Sequence, residues 1–341
     1  MDPNAHFSAL SSWVLLLARA IDSYGCDSAE LFERAGLDHS RLRDPVARFS
    51  ALAVRRLWEL AAETTRDSGF GLTVASFWHP TTLHALGYSW LASDNLEEAF
   101  QRLARYTRII NTAANGVIQI EKSADSYCLI MDASHLNVPQ PTQWSVDAAM
   151  AVVLTMCRAS YGANFRPLRV SIQHDEPDCS SRFSELFAAP VDFSQAKNAI
   201  WIDTEMVSEP LATANPELVR VNDNIVTDYL AQLDRNDVTM RVRSKLVEHL
   251  PTGQISEEGI ASSINLSQRS LQRRLKEQGM SFTQLLESTR KELGLQYVRD
   301  PQHSFNEIGF LLGFAEPGNF SRAFKRWYGK SPSQYRQDSL S

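Results

Sequence analysis

Four side chains near the carboxy terminus, Arg269, Gln272, Arg273 and Lys276, are spaced to share one face of a helix. Leu271 and Leu275 fall on the opposite face. All four polar side chains donate hydrogen bonds and three are cationic. A guanidinium can bond a guanine edge through two N–H groups, and a carboxamide can do the same for adenine. A cation can also neutralise a phosphate. Further along, Ser321, Arg322 and Lys325 take matching places, with Asn319 at the start of the same segment. Two such faces suit the major groove of a nucleic acid duplex. The plainer alternative is a helical bundle with a solvated basic face.

Each face belongs to a repeated pattern. The first copy runs Ile260-Ala261-x-x-Ile264-x-Leu266, then Leu271-x-Arg273-x-Leu275-Lys276. The second runs Ile308-Gly309-x-x-Leu312-x-Phe314, then Phe320-x-Arg322-x-Phe324-Lys325. The first halves are offset by 48 residues and the second halves by 49, so the second turn is one residue longer. Each copy reads as helix, tight turn, helix. Ser267 suits an N-cap, because its hydroxyl can accept an orphan N–H. Glu316-Pro317 suits a helix start, because proline is tolerated in a first turn. Phe282–Val298, with Phe282, Leu285, Leu286, Leu293 and Val298 at helical spacing, reads as one rigid connecting helix. Two reading helices in successive major grooves should stand about 34 Å apart. Two basic helix-turn-helix patterns in register point to DNA binding.

The rest of the chain must position or control these helices. Its 341 residues favour two domains, and 43% apolar content is enough to build cores. The net charge of −6 argues against a polyanion binder when taken alone. The distribution reverses that: residues 238–341 carry +5 and residues 1–237 carry −11. Trp13–Ala18 and Ala148–Cys157 are the longest apolar runs and are too short to span a membrane. No Lys or Arg precedes Arg19, so a secretory signal is not expected and a cytoplasmic location is. Cys26, Cys128, Cys157 and Cys179 form no C-x-x-C pair, which favours reduced thiols over a zinc site. Neither H-E-x-x-H, G-x-S-x-G nor a P-loop occurs, and Gly69-x-Gly71 lacks a third glycine. No catalytic residue, cofactor or metal is expected.

Within the acidic body, Trp13–Ile21, Leu52–Thr65 and Glu97–Ile110 read as amphipathic helices. Asp94-Asn95-Leu96-Glu97 reads as a capped start for the third. Val117–Glu121 and Tyr127–Met131 read as a hairpin, Trp144–Tyr161 as a helix, and Leu168–His174 and Ile200–Asp203 as strands. His174-Asp175-Glu176 reads as a strand end running into a polar turn, since neighbours on an extended segment point apart. Trp78, His84, Arg108, Trp144 and Tyr161 combine aromatic and polar character suited to a ligand cavity. The expected fold is an α+β amino-terminal domain over 1–213, then a linker over 214–237 with one helix. An all-α domain follows over 238–341, with two helix-turn-helix units joined by a long helix. Val219, Val221, Ile225 and Leu230 on the linker helix are candidates for a homodimer contact, which would raise DNA affinity through effective concentration.

The carboxy-terminal segment resembles the DNA-binding domain of AraC/XylS-type bacterial transcription regulators. The resemblance rests on Ile260-Ala261, Ser270-Leu271-Gln272-Arg273-Arg274-Leu275-Lys276, Ile308-Gly309-x-x-x-Gly313-Phe314, Asn319-Phe320-Ser321-Arg322-Ala323-Phe324-Lys325-Arg326 and Gly329-x-Ser331-Pro332-x-x-Tyr335-Arg336. It implies seven helices and promoter DNA as partner, usually with activation of transcription through RNA polymerase. By position it implies base reading by Arg269, Gln272 and Arg273, and by Asn319, Ser321 and Arg322. Lys276 and Lys325, nearer their helix ends, are expected on phosphates. Pro317-Gly318 stands where many members carry polar side chains, which turns the second unit toward holding the backbone. In the body, His79-Pro80-Thr81-Thr82-Leu83-His84-Ala85-Leu86-Gly87-Tyr88 resembles the arabinose-binding-like effector domain of one subgroup. So does Phe187-Ala188-Ala189-Pro190-Val191-Asp192-Phe193. That subgroup includes ornithine-utilisation and mycobacterial virulence regulators, and its label does not identify arabinose as ligand. A small-molecule effector is the expectation. The alternative is a DNA-binding regulator without a ligand, its body serving a dimer or a protein partner.

Overall fold

The structure is a computed structural model that describes residues 7–340, except 124, 135–139, 237, 254, 278–279, 301–302 and 315. The described chain divides into two compact units, Phe7–Leu230 and Ala231–Ser341.

The first unit opens with strand β1 (Ser8–Leu10), helix α1 (Ser11–Ser23), helix α2 (Ser28–Ala35) and strand β2 (Arg48–Ser50). Helices α3 (Ala51–Thr65), α4 (Phe70–Ser76), α5 (Ala85–Leu91) and α6 (Leu96–Tyr106) follow. The Asn95 side chain accepts the Glu98 N–H at 2.9 Å and starts α6 as its sequence predicts. Next come β3 (Ile118–Lys122), β4 (Ser126–Met131), α7 (Gln143–Tyr161) and β5 (Arg169–Ser171). The unit closes with α8 (Ser180–Phe187), β6 (Val191–Asp192), β7 (Asn198–Asp203), α9 (Thr204–Ser208) and α10 (Pro216–Asn236).

Strands β3 to β7 form one sheet in the order β3-β4-β7-β5-β6, antiparallel except for the β5–β6 pair. Alternation sends Tyr127, Leu129, Ile200 and Ile202 into the main core with Trp90, Phe100 and Phe183. Cys128, Ile130 and Ala199 point to the other face. A second core gathers Phe32, Phe49, Leu57, Trp58 and Phe70 among α1 to α4. Helix α4 joins the two cores by lying against α7. A Cβ on Gly71 would sit 2.3 Å from the Trp144 carbonyl oxygen, so only glycine allows that approach.

The stretch expected as a linker is mostly α10, and its inner face is fastened down. Val219 and Val226 are buried, and Tyr229 and Leu230 pack on the main core. Asp223 accepts from Ser89 at 2.7 Å and from Arg102 at 3.2 Å. The buried Arg48 donates to the Ile109 carbonyl at 2.8 Å and to the Tyr229 hydroxyl at 3.2 Å.

The second unit is all helical: α11 (Val238–His249), α12 (Glu257–Ser263), α13 (Gln268–Glu277), α14 (Phe282–Arg299), α15 (Phe305–Leu311), α16 (Pro317–Tyr328) and α17 (Pro332–Leu340). No helix among the described residues is long and apolar enough to cross a membrane. The four cysteines are free thiols.

Candidate nucleic-acid interface and the amino-terminal cavity

Helices α12 and α13 form the first helix-turn-helix. Ser256 caps α12 by accepting the Gly259 N–H at 3.0 Å. The chain then turns through Asn265, whose φ of +57° is left-handed. The Leu266 N–H closes the turn on the Ala261 carbonyl at 2.9 Å. Ser267 accepts the Ser270 N–H at 3.2 Å and starts α13. Leu271 and Leu275 are fully buried against Ile260, Ala261 and Ile264. Arg269, Gln272, Arg273 and Lys276 are exposed together on the opposite face. One partner was not visible in the sequence. The Glu257 carboxylate accepts from Gln268 at 2.9 Å and from Gln272 at 2.8 Å, so it orients the Gln272 amide.

Helices α15 and α16 form the second. Ser304 and Glu307 cap α15 reciprocally. Gly313, with φ +66°, occupies the turn position equivalent to Asn265, and the Phe314 N–H bonds the Gly309 carbonyl at 3.0 Å. Phe320 and Phe324 are buried. Arg322 and Lys325 are exposed, while Asn319 and Ser321 are half-buried. Arg322 donates to the Asn319 side-chain oxygen at 2.5 Å. Gly318 stands in the place of Arg269, so this face has one cation fewer.

Helix α14 carries both units as one continuous rod. From its middle, Arg290 donates to the Leu312 and Gly313 carbonyls, both at 2.8 Å, and lies 4.7 Å over the Phe314 ring. Arg243 of α11 is paired with Glu292 of α14. Near the end of the chain, Arg336 donates to the Val298 carbonyl at 2.7 Å and to the His303 carbonyl at 2.9 Å.

The amino-terminal unit contains a cavity of about 540 Å³. One wall is α7, whose lining residues change along its length. Thr142 and Ser145 line its start, and Ala149, Val152 and Met156 line the remainder. Gln173, His174 and Asn198 also line it and lie near that start. His174 Nε2 is 3.0 Å from Asp147 Oδ1 one turn into α7. Asn198 accepts the Gln173 N–H at 2.9 Å and donates to its side-chain oxygen at 2.6 Å.

None of the five residues expected around a ligand lines this cavity. Trp78 and Tyr161 pack against the main core and Trp144 against the second one. The His84 ring lies 5.2 Å from that of Tyr229. Arg108 stands near the buried Arg48 guanidinium. Tyr161 donates to Glu209 at 2.5 Å, and both line a separate surface depression. Aromatic composition marked residues that a helical fold could use equally well for packing. His174 was read only as part of a strand end, because its partner Asp147 is 27 residues earlier and meets it only in the tertiary fold. The predicted strand over 168–174 is shorter for the same reason: β5 ends at Ser171, and Gln173 and His174 turn toward Asn198 and Asp147. Among the described residues, no group of His, Cys, Asp or Glu is placed to hold a metal ion.

Burial opposes charge on His174, but the hydrogen bond and the charge of Asp147 outweigh it and hold the imidazole above its ordinary 6.5. Asp147 itself is almost wholly buried, which pushes its carboxyl up, against the pull of His174. Because folding raises the His174 pKa, the pair stabilises the fold fully below 6.5. That contribution is lost as pH rises through the folded value. The thermal midpoint should therefore fall as pH rises above 6.5, and His174→Gln should flatten that fall. An unchanged slope in the variant would show that other groups carry it.

Residues 25–211 match the arabinose-binding domain of AraC transcription regulators, amino-terminal, and residues 260–338 match a helix-turn-helix domain. The chain is 28% identical over 318 residues to the ornithine utilization regulator of Pseudomonas aeruginosa, covering 93% of each chain. It is 27% identical over 287 residues to the transcriptional regulator VirS of Mycobacterium tuberculosis, covering 82% of each. Among solved structures, the transcriptional regulator CdpR of Pseudomonas aeruginosa aligns with a TM-score of 0.46 at 19% identity, covering 94% of this chain and 98% of that one.

Proposed function

Since the chain belongs to the AraC/XylS family of sequence-specific DNA-binding regulators, we propose that its amino-terminal unit binds a small molecule and thereby controls promoter occupancy. The observation that carries this is the cavity of about 540 Å³ inside the unit that matches the family's arabinose-binding domain. Its size falls in the range of sites for small organic ligands. The architecture is that of a regulator and not of an enzyme. On this reading the protein acts in the cytoplasm and activates transcription by presenting itself to RNA polymerase at the promoter. Arg269, Gln272 and Arg273 read base edges, Lys276 and Lys325 hold phosphates, and Asn319, Ser321 and Arg322 complete the second contact. The exposure of Arg269, Gln272, Arg273, Lys276, Arg322 and Lys325 on the two helix faces supports these roles.

Footprinting of the full chain on promoter DNA, with and without candidate metabolites, tests the reading. A ligand at 100 times its dissociation constant should also stabilise the protein by about 2.7 kcal/mol. Protected promoter DNA that no metabolite alters, together with an unmoved thermal midpoint, would leave the amino-terminal unit without its proposed role.

The functional form is a homodimer joined along the outer face of α10. Of the four residues first expected there, Val219 and Leu230 turn inward, whereas Val221 and Ile225 are each 44% exposed. Leu218, 51% exposed, extends them into an apolar stripe at i, i+3 and i+7. Sedimentation should find a dimer at micromolar concentration. Leu218→Glu combined with Ile225→Glu should give a monomer, with affinity for a two-half-site promoter lower by about 100-fold or more.

A further inference from the structure

The cavity is elongated and chemically graded. Lining residues on α7 run from Thr142 to Met156. Fourteen residues of helix span about 21 Å. Its volume of about 540 Å³, at about 30 Å³ for each water-sized atom, accommodates about eighteen non-hydrogen atoms.

One end is polar. Beside the start of α7 stand the amides of Gln173 and Asn198 and the ring of His174, whose two nitrogens are taken by Asp147 at 3.0 Å and by the Asp175 carbonyl at 2.8 Å. Arg55 lines the cavity, pairs through Nε with Glu59 at 3.1 Å and donates through Nη1 to the Gln140 carbonyl at 2.9 Å, two residues before the Thr142 cap. The first N–H groups of α7 add partial positive charge there. Asp132 is the one carboxylate on the described lining, and it accepts the Ser134 N–H at 2.8 Å. Beyond Ser145 the α7 wall carries only Val146, Ala149, Val152, Val153 and Met156. Trp13 and Trp58 supply the aromatic surface of the described lining.

We propose that the ligand is an elongated monocarboxylate, its apolar chain lying along α7 toward Met156 and its carboxylate at the Arg55 end, beside the start of α7. This rests on the reading of the cavity as the effector site. It also separates this chain from its ornithine-named relative. A short diamino acid would leave the apolar length unfilled. Its two ammonium groups would meet a single lining carboxylate.

The test titrates the full chain with straight-chain saturated monocarboxylates of about eight to eighteen carbons, with the matching alcohols, and with ornithine. Fluorescence of Trp13 and Trp58 on the lining reports binding without DNA. Affinity should rise about fourfold per methylene until the chain fills the cavity, then fall. Ala149→Phe should move the optimum to a shorter chain. Arg55→Gln should weaken the carboxylates several-fold and leave the alcohols unchanged. Affinity that climbs with chain length without an optimum, or ignores Ala149→Phe, would mean adventitious surface binding and overturn the proposal. Tighter binding of ornithine than of any carboxylate would overturn it too, while leaving effector control intact. A clear optimum with unaltered promoter occupancy would instead support the ligand class and overturn effector control.

Discussion

Gly313→Asn should detach the second helix-turn-helix unit, whereas Asn265→Gly should leave the first one folded. The two residues hold equivalent turn positions, 48 apart, and both are left-handed, at φ +66° and +57°. Backbone preference alone would let them exchange, since asparagine tolerates this region. Their surroundings differ. A Cβ on Gly313 would lie 2.6 Å from the Leu250 carbonyl oxygen, which is backbone and cannot swing aside. Relieving that overlap costs about 1–3 kcal/mol. The shift also endangers the two bonds from Arg290 to the Leu312 and Gly313 carbonyls, each worth about 1 kcal/mol. A total of about 2–5 kcal/mol is a large part of the stability of a small domain. Asn265→Gly should cost at most about 1 kcal/mol, through lost backbone restriction. Thermal unfolding of the full chain and its DNA affinity read both effects. A Gly313→Asn variant that melts and binds like the parent would show that Leu250 does not constrain this turn.

Arg273→Ala should weaken binding to the cognate site by about 1–3 kcal/mol and relax preference at one base position. Arg322→Ala should weaken binding with little change in preference. The two arginines are equivalent in the repeat, so the difference must come from their neighbours. Arg273 shares its exposed face with Arg269, Gln272 and Lys276. Arg322 has Gly318 where the first helix has Arg269, and its guanidinium is bonded to Asn319. A side chain held by its own helix, with few polar neighbours, is better placed for a phosphate than for a base edge. Lys276→Ala and Lys325→Ala should weaken all sequences alike and lower the salt slope by about one unit. Binding-site selection at fixed salt compares the two arginine variants. Equal loss of preference in both would refute the division between a reading unit and a holding unit.

The carboxy-terminal domain was largely legible in the sequence. Its signals are local: apolar spacing within one helix, Ser267 and Glu316 at helix starts, a turn of fixed length, and a repeat that tests each reading against its copy. Helix α14 and the hairpin of β3 and β4 were readable for the same reason. The short strands β1 and β6 were not, because pairing with distant partners defines them, at Ala9 with Phe49 and Val170 with Val191.

The amino-terminal cavity lay further out of reach. It draws on α1, α3, α6, α7 and four segments of the sheet region, and no periodicity within one element records such a convergence. Aromatic and polar composition therefore pointed to Trp78, His84, Arg108, Trp144 and Tyr161, which the fold uses elsewhere. The sequence by itself determined the second helix of each helix-turn-helix and the face it exposes, because about 100° of rotation per residue settles which side chains stand together on a helix. Tertiary structure alone decided that His174 meets Asp147, that Glu257 holds Gln272, and that the Leu250 carbonyl closes on Gly313. Each of these depends on a contact between residues distant along the chain, whose positions are set by the packing of whole elements.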